Sequence, residues 1–183
     1  QFDAAIAEFQ EIIDQHPDGR FYSAAYDEIA FTHYFHLGDY PTGIATYLAF
    51  AEAAPNHPDT SKLLFFAARA AEINGQLSEA AAIWRRIGIE YSLSDYGFDG
   101  FFLAGITSYR LRDFSTAESD FQSTLALART NEEKSQAYFW IGKAQEAAGN
   151  TAGATTNWQQ ASTLDTTGYY SEIAALKLQG QAA

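Results

Sequence analysis

His33 and His36 stand three apart with Asp39 three further on, a spacing that could bring metal ligands to one side of a helix end. Zinc needs three or four converging ligands, and Asp39 falls in a turn while Phe31, Tyr34 and Phe35 make the helix a packing surface, so no metal is expected. His16 and His57 precede Pro17 and Pro58 in similar linkers and read as solvated loop residues. Glycoside hydrolysis would require two carboxyl groups facing across a cleft, one of raised pKa. The early acids Asp18, Asp27, Glu28, Asp39 and Asp59 fall instead at helix starts and on polar faces, where helix dipoles and solvation account for them. No serine sits in a Gly-x-Ser-x-Gly frame, so a nucleophilic triad has no support. No catalytic residue and no cofactor are expected.

Binding groups are better represented. Arg69 and Lys143 lie 74 apart, each with a glutamate three residues on, Glu72 and Glu146, and Phe65 and Phe139 lie four residues before them. Phe102 fills the same place midway, and Tyr109 joins the set from that copy. Such rows could receive an extended peptide or a sugar strand. They are better accounted for by i,i+3 ion pairs, each contributing about 0.2–0.5 kcal/mol, and by rings packing on the neighbouring repeat.

The elements that would position these residues repeat with a period of 37. Ala80, Ala117 and Ala154 are each followed four residues later by a large ring, Trp84, Phe121 and Trp158, and Gly43 with Tyr47 extends the series backwards. Twelve residues before each small residue stand Phe31, Ala68, Gly105 and Gly142. Between the columns lie Gly38-Asp39-Tyr40, Gly75-Gln76-Leu77, Arg112-Asp113-Phe114 and Gly149-Asn150-Thr151. Small residues let antiparallel helices approach, a ring one turn on fills the space beside them, and glycine supplies the turn that ends the first helix. Pro17, Pro55 and Pro58 fall in linkers and Pro41 at a helix start, so none interrupts a helix.

Four helix pairs are therefore predicted, near 21–54, 60–90, 97–129 and 133–164, with single helices near 2–15 and 168–179. The whole of 1–183 reads as one solenoid domain, with a half repeat at 1–18, full repeats at 19–58, 59–94, 95–131 and 132–166, and a terminal helix at 167–183. The unpaired first helix and the absence of methionine lead us to expect a segment of a longer protein.

Composition bounds the partners. The 183 residues are 47% hydrophobic and 15% aromatic, enough to build an interior. The net charge is −12, and residues 1–60 carry ten acids against Arg20 alone, a net of −9. That balance repels a phosphate backbone and an anionic bilayer, so nucleic acid is not an expected partner. There is no cysteine, hence no disulfide and no thiolate metal site. No apolar run is long enough to span a membrane, and no signal-peptide pattern occurs in this segment.

Small-aromatic columns with a glycine turn resemble the tetratricopeptide repeat. In AYFWIGKAQEAAGN (137–150), Gly142 and Gly149 match its glycines, and Ala154, Trp158, Ala161, Leu164 and Asp165 fall where its Ala, aromatic, Ala and Leu-Asp belong. The resemblance implies an all-α, right-handed α-α superhelix of about ten antiparallel helices, its period lengthened from 34 to 37 by linkers such as SLSDYGFDG (92–100). It also implies that Phe65, Arg69, Glu72, Phe102, Tyr109, Phe139, Lys143 and Glu146 line a concave groove.

The C-terminal phrase NWQQASTLDTTGYYSEIAALKL (157–178), together with AYFWIGKAQEAAGN and AGITSYRLRDFSTAESDFQ (104–122), is similar to the helical region preceding the catalytic domain of bacterial soluble lytic transglycosylases. That resemblance implies a non-catalytic scaffold outside the cytoplasm, in periplasm or cell envelope, positioning its own catalytic domain and a peptidoglycan glycan strand. The Glu-Ser and Gly-Leu-Met-Gln motifs of those enzymes are absent here. The alternative is an extracytoplasmic tetratricopeptide adaptor holding protein or peptide partners in envelope assembly or division.

Overall fold

The computed structural model describes residues 1–180; the last three residues of the expected terminal segment, 181–183, lie outside the described residues. Ten α-helices and no strand occur among the described residues: α1 (Phe2–Gln15), α2 (Tyr22–Phe31), α3 (Tyr40–Ala53), α4 (Thr60–Ile73), α5 (Leu77–Glu90), α6 (Gly97–Arg110), α7 (Phe114–Leu127), α8 (Asn131–Ala147), α9 (Thr151–Leu164) and α10 (Tyr169–Leu178). A π-helical turn, Thr32–His36, continues α2. The chain divides into two compact units, Gln1–Ile87 and Gly88–Ala183, with the division inside the last turn of α5.

The turns within the helix pairs repeat in detail. Gly38, Gly75 and Gly149 take positive φ values of 68°, 76° and 86°, and Arg112 adopts the same left-handed conformation at 63°, against the preference of a residue with a Cβ. The following residue caps the next helix: Asp39 accepts from the Thr42 amide, Asp113 from Thr116 and Asn150 from Gly153. α8 begins with a reciprocal cap, Thr130 bonding the Glu133 amide while the Glu133 carboxylate accepts from the Thr130 amide.

In the second unit the small-aromatic columns meet as pairs. A Cβ on Gly105 would stand 2.6 Å from Cδ1 of Phe121, and one on Gly142 2.6 Å from Cδ1 of Trp158. Hydrogen is the only side chain that lets those rings seat, and Trp158 Nε1 then donates to the Phe139 carbonyl at 3.2 Å. Ala117, Phe121, Ile141 and Ala144 form one apolar cluster, and Phe139, Ala154, Trp158, Ala161 and Ala174 another that α10 closes with Tyr170 and Ile173. Ser135 and Ser171 lie between these helices and share the Ala161 carbonyl, so their buried hydroxyls are satisfied.

In the first unit one column is out of register. Counting by 37 puts Phe31 beside Ala68, Gly105 and Gly142, yet Ala30 is the residue that is fully buried there, and a Cβ on Gly43 would meet its carbonyl oxygen at 2.9 Å. The π turn is the cause. At the ends of α4, α6 and α8 the closing amide reaches back five residues, Gln76 to Ala71, Asp113 to Ser108 and Asn150 to Gln145, whereas Asp39 reaches back six, to His33. One extra residue is wound into the helix. Every position of α2 before the π turn is therefore displaced by one, so Ala30, not Phe31, holds the small position.

Candidate interaction site

The displaced register changes what α2 presents. With Ala30 equivalent to Ala68, Asp27 becomes equivalent to Phe65, Phe102 and Phe139, and Tyr47 is equivalent to Trp84, Phe121 and Trp158. In the second pair Phe65 packs edge-on to Trp84 at 4.8 Å, and in the third Phe102 packs on Phe121 at 5.9 Å. In the first pair the ring contact is replaced by a polar one, Tyr47 Oη donating to Asp27 Oδ1 at 2.8 Å.

A carboxylate occupies less space than a phenyl ring, and a cleft of about 340 Å³ opens beside it, lined by Asp27, Glu28, Phe31, Tyr34, Tyr47 and Phe66. Each element contributes for a local reason. α2 supplies the two acids, the π turn swings Tyr34 against Tyr47 with ring centroids 6.4 Å apart, α3 supplies Tyr47, and α4 supplies Phe66, 6.0 Å from Tyr47. Phe31, released from the small column, turns to Tyr34 at 5.5 Å. Burial, followed by the Asp27 charge, pushes the phenols of Tyr34 and Tyr47 above their ordinary value, so both remain neutral donors. Lys62 on α4 stands beside two of these lining residues, its Nζ 3.9 Å from Asp27 Oδ2 and 5.5 Å from the centroid of the Phe66 ring.

The residues singled out from the sequence are distributed differently. Arg69 and Glu72 form the i,i+3 ion pair at 2.9 Å. Glu146 does not pair with Lys143 as that spacing suggests; it accepts from Lys177 of α10 at 3.1 Å, because α10 packs alongside α8 and carries its lysine to the end of that helix. Phe139 is buried, its ring against Trp140 and Tyr170. Phe65 and Phe102 are half-buried among neighbouring rings, and Tyr109 packs on Phe114 and Trp140 at 5.2 and 5.8 Å. The aromatic row is thus engaged in packing.

His33 Nδ1 stands 3.6 Å from Asp39 Oδ2, but His36 stacks on Phe2 at 5.0 Å, so the three potential ligands do not converge. No group of three or more His, Cys, Asp or Glu that could hold a metal occurs among the described residues. His57 differs from its reading as a solvated loop residue: its ring lies edge-on to Phe50 at 5.3 Å and its Nδ1 accepts from the Asp59 amide. No described helix is long and apolar enough to cross a membrane.

Sequence reasoning misses the cleft residues because a strict count of 37 sets Asp27 level with Leu64, Phe101 and Tyr138 instead of Phe65, Phe102 and Phe139, and makes Phe31 the exception in a column of small residues. The exception is itself the signal: sliding α2 by one residue restores Ala30 to the column.

No curated protein matches the sequence significantly. Among solved structures, the chain is similar to a crystal structure of MamA (17% identity, 87% of this chain and 86% of that one, TM-score 0.57). It is also similar to BtubC from P. vanneervenii (13% identity, 100% and 76%, TM-score 0.59) and to TTC0263, a thermophilic TPR protein of Thermus thermophilus (15% identity, 98% and 89%, TM-score 0.50). At these identities the likeness concerns the fold. The sequence profile described as Tetratricopeptide repeat matches residues 30–88 and 102–164, more than half of the chain. With the paired helices, the small-aromatic columns and the glycine turns, this match shows that the chain belongs to the tetratricopeptide-repeat family, whose helical arrays are scaffolds for protein interaction.

Proposed function

We propose that this scaffold binds a basic protein or peptide partner through its first unit. The observation that supports the reading is the replacement, in the first helix pair alone, of the ring-on-ring contact by Asp27 and Tyr47 beside an open cleft. The setting agrees in sign, since residues 1–60 carry a net charge of −9 and attract a basic segment before contact. Fluorescence anisotropy with short labelled peptides of equal length tests it: basic peptides are expected to bind and neutral or acidic ones not. Equal binding of all three, or none by the basic set, overturns the reading. An extracytoplasmic adaptor of envelope assembly or division is one setting for such a scaffold.

A second reading places the chain in a lytic transglycosylase, positioning the catalytic domain and the glycan strand outside the cytoplasm. It is supported by the resemblance of residues 157–178, in which Tyr169 and Tyr170 open α10. In that reading this chain does no chemistry itself. The sequence of the parent protein decides, since a downstream domain with Glu-Ser and Gly-Leu-Met-Gln motifs is required. Release of anhydro-sugar from peptidoglycan by this chain alone would sink the non-catalytic assignment.

A further inference from the structure

We infer that the cleft between α2, the π turn, α3 and α4 is a receptor for an arginine side chain of the partner, and that Lys62 is a resident cation which the arginine displaces. The inference rests on the reading of this chain as a scaffold for a basic partner. Three independent features carry it.

The first is the wall. Phe31, Tyr34, Tyr47 and Phe66 present rings and Asp27 and Glu28 carboxylates to one space of about 340 Å³. Aromatic faces attract cations through their quadrupole, and a planar guanidinium can stack on a ring while forking onto a carboxylate. Asp27 is oriented for this: Tyr47 holds Oδ1, and Oδ2 is left facing Lys62 at a distance longer than a good charge-assisted hydrogen bond.

The second is the resident cation itself. Lys62 Nζ lies over the Phe66 ring and beside Asp27, so two residues of the cleft wall already attract a positive charge from the chain's own supply. The fit is loose, and the lysine side chain is 41% exposed. An exposed pair of this kind contributes about 0–1 kcal/mol, little enough for a better-fitting guanidinium to displace it.

The third is the departure from the chain's own pattern. Three of the four equivalent positions hold Phe65, Phe102 and Phe139, which pack against rings. Only at Asp27 has the packing residue been replaced by a charge, and only there does a π turn deliver an extra aromatic, Tyr34, to the same space. Single π turns recur where a helix is bent to function.

The test measures anisotropy of a short labelled peptide of Gly, Ser and Arg and of its twin with citrulline in place of arginine, against the full chain. The arginine peptide is expected to bind and the citrulline twin to bind at least about tenfold more weakly. Asp27→Asn, which keeps an acceptor for Tyr47, is expected to weaken the arginine peptide about tenfold. Lys62→Ala is expected to tighten it about threefold, an effect that lost structure does not produce. Should Asp27→Asn fail to fold in a melting control, Glu28→Gln, on an exposed residue, is expected to weaken binding about twofold.

Lys134→Ala removes the same charge from the second unit and is expected to leave affinity unchanged. If Lys134→Ala tightens binding as much as Lys62→Ala, or if Lys62→Ala does not tighten it, the displacement is refuted. If basic peptides bind but ignore Asp27→Asn and Glu28→Gln, the receptor is refuted while the basic-partner reading survives. If no basic peptide binds, both fall.

Discussion

At the scale of single residues, the molecule is governed by what a Cβ or a ring can occupy. Gly142 shows the sharpest case, because the methyl of Gly142→Ala would be driven into the buried indole of Trp158. Alanine favours a helix by up to about 1 kcal/mol over glycine, while overpacking costs about 1–3 kcal/mol. The Trp158 ring is held by its bond to Phe139 and has nowhere to move, so the second effect wins. Urea denaturation of Gly142→Ala is expected to show a loss of about 1–2 kcal/mol.

Tyr26 offers a different handle. Burial first, then a hydrogen bond with Tyr22, pushes its phenol from 10.0 up to about 12. A group whose folded pKa is raised contributes stability that is complete below its unfolded value and lost as pH rises through the folded one. Stability is therefore expected to fall between pH 10 and about 12, and Tyr26→Phe to flatten that decline in denaturation curves taken across the interval.

At the scale of elements, the cap of α8 determines where that helix begins. Thr130→Ala removes the hydroxyl that bonds the Glu133 amide and is expected to cost about 1 kcal/mol in chemical denaturation. Burial works against the Glu133 carboxylate, yet the amides of Thr130 and Arg129 hold its carboxyl below the ordinary 4.5. A depressed acid contributes stability above its unfolded value that is lost as pH falls through the folded one. Glu133→Gln is accordingly expected to destabilise at neutral pH and to match the native chain in strong acid.

The same elements show how much could be read in advance. Helix number and the turns that carry Asp39, Asp113 and Asn150 were legible, because each depends on local chemistry that repeats at a fixed spacing. The exchange of Glu146 from Lys143 to Lys177 was not, since it depends on how α10 lies on α8. The cleft was hidden for a third reason. A π turn winds one extra residue into the helix and displaces everything before it by one; the sequence shows this only as Phe31 standing in a column of small residues, and the hydrogen bond from Asp39 to His33 shows its cause.

At the scale of the whole molecule, charge is distributed along the chain rather than balanced within it: −9 falls on residues 1–60 and −3 on the remaining 123, by residue count of acids and bases. An excess of one sign acts before contact, raising the rate of encounter with an oppositely charged partner, whereas a short-range pocket acts after contact on the rate of escape. The two can be separated by salt. Raising NaCl from about 0.1 M to about 1 M shortens the Debye length from about 10 Å to about 3 Å, screening the field of the scattered acids far more than a carboxylate touching a guanidinium. Stopped-flow mixing with an arginine peptide is therefore expected to show an association rate that falls steeply over this range and a dissociation rate that changes little. Asp27→Asn is expected to produce the reverse pattern, a faster dissociation at every salt concentration with the slope of the association rate retained. If salt acts mainly on dissociation, the acidic first unit does not steer its partner, and its charge serves solubility alone.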